Sequence, residues 1–352
     1  MKRIVLTGGG TAGHVTPNLA LIPFLKEDGW EVIYIGSEKG IERSLIEAEG
    51  IPYYGIPTGK LRRYFSKENF SDMLQVVKGV TEAKKRIKEL KPDLVFSKGG
   101  FVAVPVVLAA KANGVPVIIH ESDITPGLAN KIAMPFAKVI CTTFPETLKH
   151  ISKKSGVHTG SPIRKELFQG DGKKGLQLCG FDGTKPVLLM MGGSLGAVKL
   201  NQCLRGELPK LLEKFDVIHL CGKGNLDQAL LHQKGYQQFE YVSGELADLF
   251  AATDLIVSRA GSNSICEFLA LKKPHLLIPL SKNASRGDQI LNAASFAAQG
   301  FARVLPEEEM TAETLMENIL TLYENRNKYV ERMEKSGLSD GTMGVLSQIR
   351  KF

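Results

Sequence analysis

No stretch of this chain comes near the roughly 20 consecutive apolar residues that a membrane-spanning helix needs, so a helical membrane span is excluded. Met1-Lys2-Arg3 runs directly into the strand-like Ile4-Val5-Leu6 without the apolar core of a signal peptide, and a cytoplasmic protein is the expectation. Cysteine is scarce. Cys141, Cys179, Cys203, Cys221 and Cys266 are odd in number and never spaced C-x-x-C, which argues against a disulfide framework or a zinc site and leaves them as core or surface thiols. Helix-turn-helix, zinc-finger and aromatic RNP-type signatures are also missing, so nucleic acid is not an expected partner.

What is present suits a soluble globular protein: 352 residues, 43% hydrophobic and 23% charged. That length favours two domains of roughly 150 to 180 residues. The net charge of +8 is uneven, with 22 Lys and Arg against 15 Asp and Glu in residues 1–160, and 23 against 22 in the remainder. An anionic bilayer or polyanion would therefore be felt mainly by the first half.

Short β-branched runs alternate with amphipathic stretches. Residues 3–7, 31–36, 93–97, 115–120 and 138–142 read as strands separated by helical patterns, the signature of βαβ units. A Gly-, Lys- and Pro-rich connector over 156–186 follows, and the rhythm restarts with 187–191, 216–220, 254–258, 275–279 and 302–305. A boundary in that connector gives domains over 1–160 and 161–337. Met343, Val345, Leu346 and Ile349 give 338–352 a helical pattern; its docking place is not visible, and a return onto the first domain is one arrangement. The two halves open alike, Ile4-Val5-Leu6-Thr7-Gly8-Gly9-Gly10-Thr11-Ala12-Gly13 being echoed by Leu188-Leu189-Met190-Met191-Gly192-Gly193-Ser194-Leu195-Gly196-Ala197. The expected fold class is α/β, two Rossmann-like doubly wound domains facing across a cleft.

Gly8 to Gly13 fits G-x-G-x-x-G between a strand and a helix, where missing side chains let backbone N–H groups and a helix N-terminus approach a diphosphate. The same glycines would also serve a tight turn that binds nothing. A nicotinamide enzyme would end its second strand with an acid; here that strand ends Ile35-Gly36-Ser37, with Glu38 only nearby, which weakens a dinucleotide reading. His14 follows at the helix start, whose dipole opposes protonation and leaves the imidazole able to accept a proton. It is the candidate general base, with a turn-capping histidine as the competing role.

In the second half the Ser194 hydroxyl sits where a phosphate on a helix N-terminus could accept from it. Lys98-Gly99-Gly100-Phe101 likewise ends a strand. Ser258 to Glu267 follows a strand and opens a helix, with Ser262 as the expected cap; Glu267 could accept two hydrogen bonds from a ribose diol or simply complement the dipole. Asn283 to Gln289 is a polar loop entering a helix, suited to sugar hydroxyls and equally to solvent. Lys60-Leu61-Arg62-Arg63-Tyr64-Phe65-Ser66-Lys67 interleaves cations with apolar side chains, as an anionic bilayer requires, each cation contributing on the order of 1 kcal/mol. A soluble loop with snorkelling side chains would look the same.

Taken together, Gly9-Gly10-Thr11-Ala12-Gly13-His14, His120-Glu121-Ser122, Gly160-Ser161-Pro162-Ile163-Arg164, Gly192 to Ala197 and Gly261 to Glu267 resemble the MurG family in order and spacing along nearly the whole chain. The resemblance implies a GT-B fold and an inverting glycosyltransferase without an obligatory metal or other cofactor. It implies synthesis of lipid II from lipid I and UDP-N-acetylglucosamine at the cytoplasmic face of the membrane. It also implies donor contacts at Thr11, Ala12 and Gly13 near the sugar and at Arg164 and Ser194 near the nucleotide. Further contacts would fall at Ser262, Asn263, Ser264, Ile265, Cys266 and Glu267 along ribose and diphosphate, and at Gln289 on the sugar, with the first domain on the acceptor side. Asp123 and Asp288 stand where the family usually has Asn and Gln. Rival readings are a UDP-sugar transferase acting on diacylglycerol lipids, a UDP-N-acetylglucosamine 2-epimerase, and a non-enzymatic nucleotide-sugar sensor.

Overall fold

Strands rich in Val, Ile and Leu that are buried on both faces pair as parallel sheets under helices, and both halves of the chain do so. The structure, a computed structural model, describes residues 1–59, 68–152, 155–193, 197–282, 286–338 and 340–352, with 68–74 described in backbone alone. In the first half β1 (Arg3–Thr7), β2 (Glu31–Ser37), β3 (Tyr53–Ile56), β4 (Leu94–Ser97), β5 (Val117–Glu121), β6 (Val139–Thr142) and β7 (Gly156–His158) form one sheet. Its order is β3-β2-β1-β4-β5-β6-β7, parallel throughout. In the second half β8 (Val187–Met191), β9 (Asp216–Leu220), β10 (Tyr236–Phe239), β11 (Leu255–Ser258), β12 (His275–Leu277) and β13 (Ala302–Val304) form another. It runs β10-β9-β8-β11-β12-β13, again parallel.

The strand order reverses between β1 and β4 in one sheet and between β8 and β11 in the other. Open α/β sheets take their ligands at the carboxyl ends of such switch points. Thr7 pairs with Ser97, and Met191 with Ser258, at these ends. The four glycine-bearing turns read from the sequence therefore leave the four strands that flank the two reversals.

The chain divides into one unit of Met1–Arg164 with Asp340–Phe352 and a second of Lys165–Ser339. The division falls between Arg164 and Lys165 rather than at 160/161. The segment 156–186 is more than a connector, because it holds β7, the turn Lys165–Gln169 and the helix Gly172–Cys179, capped by Asp171 accepting from the Lys173 backbone N–H at 2.9 Å. The closing helix, Thr342–Ile349, belongs to the first unit, where Val345, Leu346 and Ile349 are fully buried against Leu21, Ile22 and Leu25. Ile163 N donates to Asp340 Oδ1 at 2.9 Å and Gly341 N to the Ser161 carbonyl at 2.9 Å, fixing its entry. No helix of the described residues is long and apolar enough to cross a membrane.

Candidate functional site

The turn after β1 is held from below by buried polar groups. Tyr34 Oη donates to the Gly8 carbonyl at 2.7 Å, and Asn18 Nδ2, on the helix Thr16–Glu27, donates to Tyr34 Oη at 3.1 Å. Glu42 is fully buried and accepts from Gly10 N at 3.2 Å, Ser37 N at 3.0 Å and Ser37 Oγ at 2.5 Å. A carboxylate in such a place is tolerated because its oxygens are met by donors. The neighbouring turn after β4 comes so close that a Cβ on Gly100, whose φ is +84°, would lie 2.3 Å from the Gly9 carbonyl oxygen.

Above these two turns lies a cavity of about 710 Å³ lined by backbone of Gly9, Gly10 and Gly100 and by Thr11, His14 and Phe101 among others. Thr11 is exposed and His14 half-buried, with Thr11 Oγ1 3.1 Å from His14 Nδ1. His14 closes the short turn Ala12–His14, directly before the helix Thr16–Glu27, so its placement at a helix start stands. At the same edge Lys98 is almost wholly buried and its ammonium donates to Ser122 Oγ. Burial, and then the Lys98 charge, hold His120 well below its ordinary value, so its ring is neutral; Nε2 meets the Gly160 carbonyl at 2.9 Å. Burial pushes the Glu121 carboxyl up against the opposing bonds from Asp123 N at 3.0 Å, Asn130 Nδ2 at 2.8 Å and Gly127 N at 3.1 Å.

In the second unit the turn after β11 leads into the helix Ser262–Ala270. Its cap is Gly261, with extended backbone and no capping side chain, so Ser262 is the first helical residue and not the cap read from the sequence. Helix geometry directs the first-turn N–H groups outward rather than into the helix, toward whatever occupies that edge. Asn263 and Ser264 are half-buried, whereas Ile265 and Cys266 point into the core and can offer a ligand only backbone; Glu267 is 8% exposed. Gln289, expected on the sugar, spends its Oε1 on Ala260 N at 3.3 Å and Leu280 N at 3.1 Å, so what its side chain can offer a ligand is a donor, the amide NH₂.

Thr11, Ala12, Gly13 and His14 thus share the first unit with Arg164, its half-buried last residue before the division, while Ser262 to Glu267 and Gln289 share the second. Ser194 and the basic patch Lys60, Leu61, Arg62, Arg63 and Phe65 lie outside the described residues. Among the described residues no group of three or more His, Cys, Asp or Glu could hold a metal ion. The sequence reading missed Glu42, Tyr34 and the pair Arg259–Glu307. It also missed Asn18, although a polar residue on the apolar stripe Val15, Ile22, Leu25 is a legible signal.

The Glycosyltransferase family 28 N-terminal domain matches residues 4–142, and the Glycosyltransferase family 28 C-terminal domain matches 187–345. A protein of Geobacillus thermodenitrificans (strain NG80-2), named UDP-N-acetylglucosamine--N-acetylmuramyl-(pentapeptide) pyrophosphoryl-undecaprenol N-acetylglucosamine transferase, is 61% identical over 350 residues, covering 99% of this chain and 98% of its own. One of Clostridium botulinum (strain Langeland / NCTC 10281 / Type F) with the same name is 59% identical over 352 residues, covering 100% of this chain and 99% of its own. Among solved structures, Acinetobacter baumannii MurG superposes with a TM-score of 0.77 at 27% identity, covering 100% of both chains.

Proposed function

The chain belongs to glycosyltransferase family 28, and from that membership we propose that it moves N-acetylglucosamine from UDP-N-acetylglucosamine onto the muramyl 4-hydroxyl of lipid I, undecaprenyl-pyrophosphoryl-N-acetylmuramyl-pentapeptide, giving lipid II for peptidoglycan. The observation that carries this reading is the 61% identity, along 99% of the chain, to a relative named for that transfer. The fold supports it, two parallel sheets each with glycine turns at their switch points, as in the GT-B glycosyltransferases.

In this reading the muramyl oxygen bonds to the anomeric carbon as the bond from that carbon to the β-phosphate oxygen of UDP breaks, and the anomeric configuration inverts. The hydroxyl proton passes to His14. With Nδ1–H donated to Thr11 Oγ1, Nε2 carries the lone pair that takes it. The cavity beside His14 is assigned to the acceptor, and Thr11, Ala12 and Gly13 to the sugar. UDP departs with developing negative charge, which oriented N–H groups at the start of Ser262–Ala270 and the Arg164 guanidinium are assigned to meet, together with Ser194. Glu267 is assigned to the ribose, and the Gln289 amide to the sugar as a donor. No metal is assigned a role.

UDP release followed with UDP-N-acetylglucosamine, with and without lipid I, tests the reading. Release is expected only with lipid I and at the same rate in excess chelator. His14→Ala is expected to lower kcat by about 100-fold or more. Parental turnover by His14→Ala would remove it as the base, loss of rate in chelator would put a metal into the step, and no release with lipid I would remove the proposed function.

A further inference from the structure

Glu307 lies at the carboxyl edge of the second sheet, just beyond β13, and its side chain is 13% exposed. Its Oε1 accepts from Arg259 Nη2 at 2.5 Å and its Oε2 from Ser281 N at 3.2 Å, while its backbone carbonyl accepts from Lys199 Nζ at 2.7 Å. One carboxylate thus ties together the turns that follow β11, β12 and β13. Arg259, itself 9% exposed, is further pinned through Nη1 to the Ile278 carbonyl at 3.2 Å. Burial alone would push the Glu307 carboxyl up; the bonds from Arg259 and Ser281 hold it below the usual range, ionised.

Arg259 is followed by Ala260 and Gly261, and Gly261 caps the helix assigned to the donor diphosphate. Gln289 Oε1 holds Ala260 N, and Asn292 Nδ2 donates to the Ala260 carbonyl at 3.3 Å. The turn is thus gripped by Gln289 and Asn292 at Ala260 and by Glu307 at the Arg259 side chain. We propose that Glu307 is a positioning residue for donor binding, acting through Arg259 to fix where the first-turn N–H groups of Ser262–Ala270 point. A displacement of about 1 Å in such donors is enough to weaken an oriented contact. The inference rests on the proposed UDP-sugar site in the second unit.

Glu307→Gln keeps the shape and removes the charge. An amide offers one acceptor oxygen and one NH₂, so it cannot accept from both Arg259 and Ser281, and one of the two contacts becomes donor against donor. Calorimetric titration with UDP, at a temperature where circular dichroism shows every variant folded, reads the site rather than the stability of the fold. Glu307→Gln is expected to weaken UDP by about tenfold, the equivalent of about 1.4 kcal/mol, while Glu308→Gln on the exposed neighbour binds as the parent does. In an Arg259→Met background the same Glu307→Gln change should add little, because its effect runs through Arg259. Parental affinity in folded Glu307→Gln, or an undiminished loss in the Arg259→Met background, would overturn the inference. Absence of UDP binding by the parent chain would instead remove the proposed function on which it rests.

Discussion

At the scale of single residues, His219 and His275 are histidines that carry structure. Asn201 Nδ2 donates to the Cys221 carbonyl at 2.9 Å, which turns its Oδ1 toward His219 Nε2 at 2.9 Å. The His219 proton therefore sits on Nε2, and Nδ1 accepts from Tyr236 Oη at 2.6 Å. Burial lowers His219 from 6.5 to about 3, with the Arg205 charge adding to it, and lowers His275 from 6.5 to about 4. Folded values below the unfolded one mean that the unfolded chain binds more protons between those limits. The stability that these rings contribute is thus full above about pH 6.5 and lost as pH falls toward about 4 for His275 and about 3 for His219. Each ring adds a slope of up to about 1.4 kcal/mol per pH unit. Urea unfolding from pH 7 to 4.5 should show a falling midpoint, and His275→Gln, which cannot titrate, should flatten that slope by one ring's share; an unchanged slope would contradict the assignment. Sequence inspection singled out His14 and passed over these two, because neutrality by burial depends on neighbours from distant strands.

At the scale of turns and strands, the first unit's site depends on two turns in contact. Gly50, with φ +67° and open space around its Cβ position, carries only the left-handed backbone requirement, whereas Gly100 also abuts the Gly9 carbonyl. Gly50→Ala should cost about 1–2 kcal/mol, and Gly100→Ala roughly 2 kcal/mol or more together with most of the transfer rate. Equal losses in urea unfolding, with parental transfer by Gly100→Ala, would show that the close approach does not matter. The strands that carry apolar runs were legible from those runs, and the glycine turns from their place after them. The strands β3, β7 and β10 were not, since Tyr53, Tyr54, His158 and Gln237 are only partly buried and break up the apolar pattern that marks a strand. The start of Ser262–Ala270 was misjudged by one residue because a serine there satisfies cap chemistry on paper while Gly261 supplies the extended backbone.

At the scale of the whole chain, matching halves were readable because each opens with a strand and a glycine turn, whereas the return of Thr342–Ile349 to the first unit was one arrangement among those the sequence left open, because apolar spacing fixes a helix but not its neighbour. The excess of positive charge in residues 1–160 is what an anionic membrane surface would attract, and Lys60, Leu61, Arg62, Arg63 and Phe65 are the contact proposed for it. Flotation with vesicles containing anionic lipid should carry the parent upward and leave a Leu61→Ser, Phe65→Ser variant behind; equal flotation would exclude that patch. The most direct test of the central claim is the product itself, formed from purified lipid I and labelled UDP-N-acetylglucosamine and identified by mass. Lipid I is expected to gain one N-acetylglucosamine residue for each UDP released. Conversion of the sugar nucleotide without any change in the lipid, or labelling of a diacylglycerol lipid in its place, would contradict it.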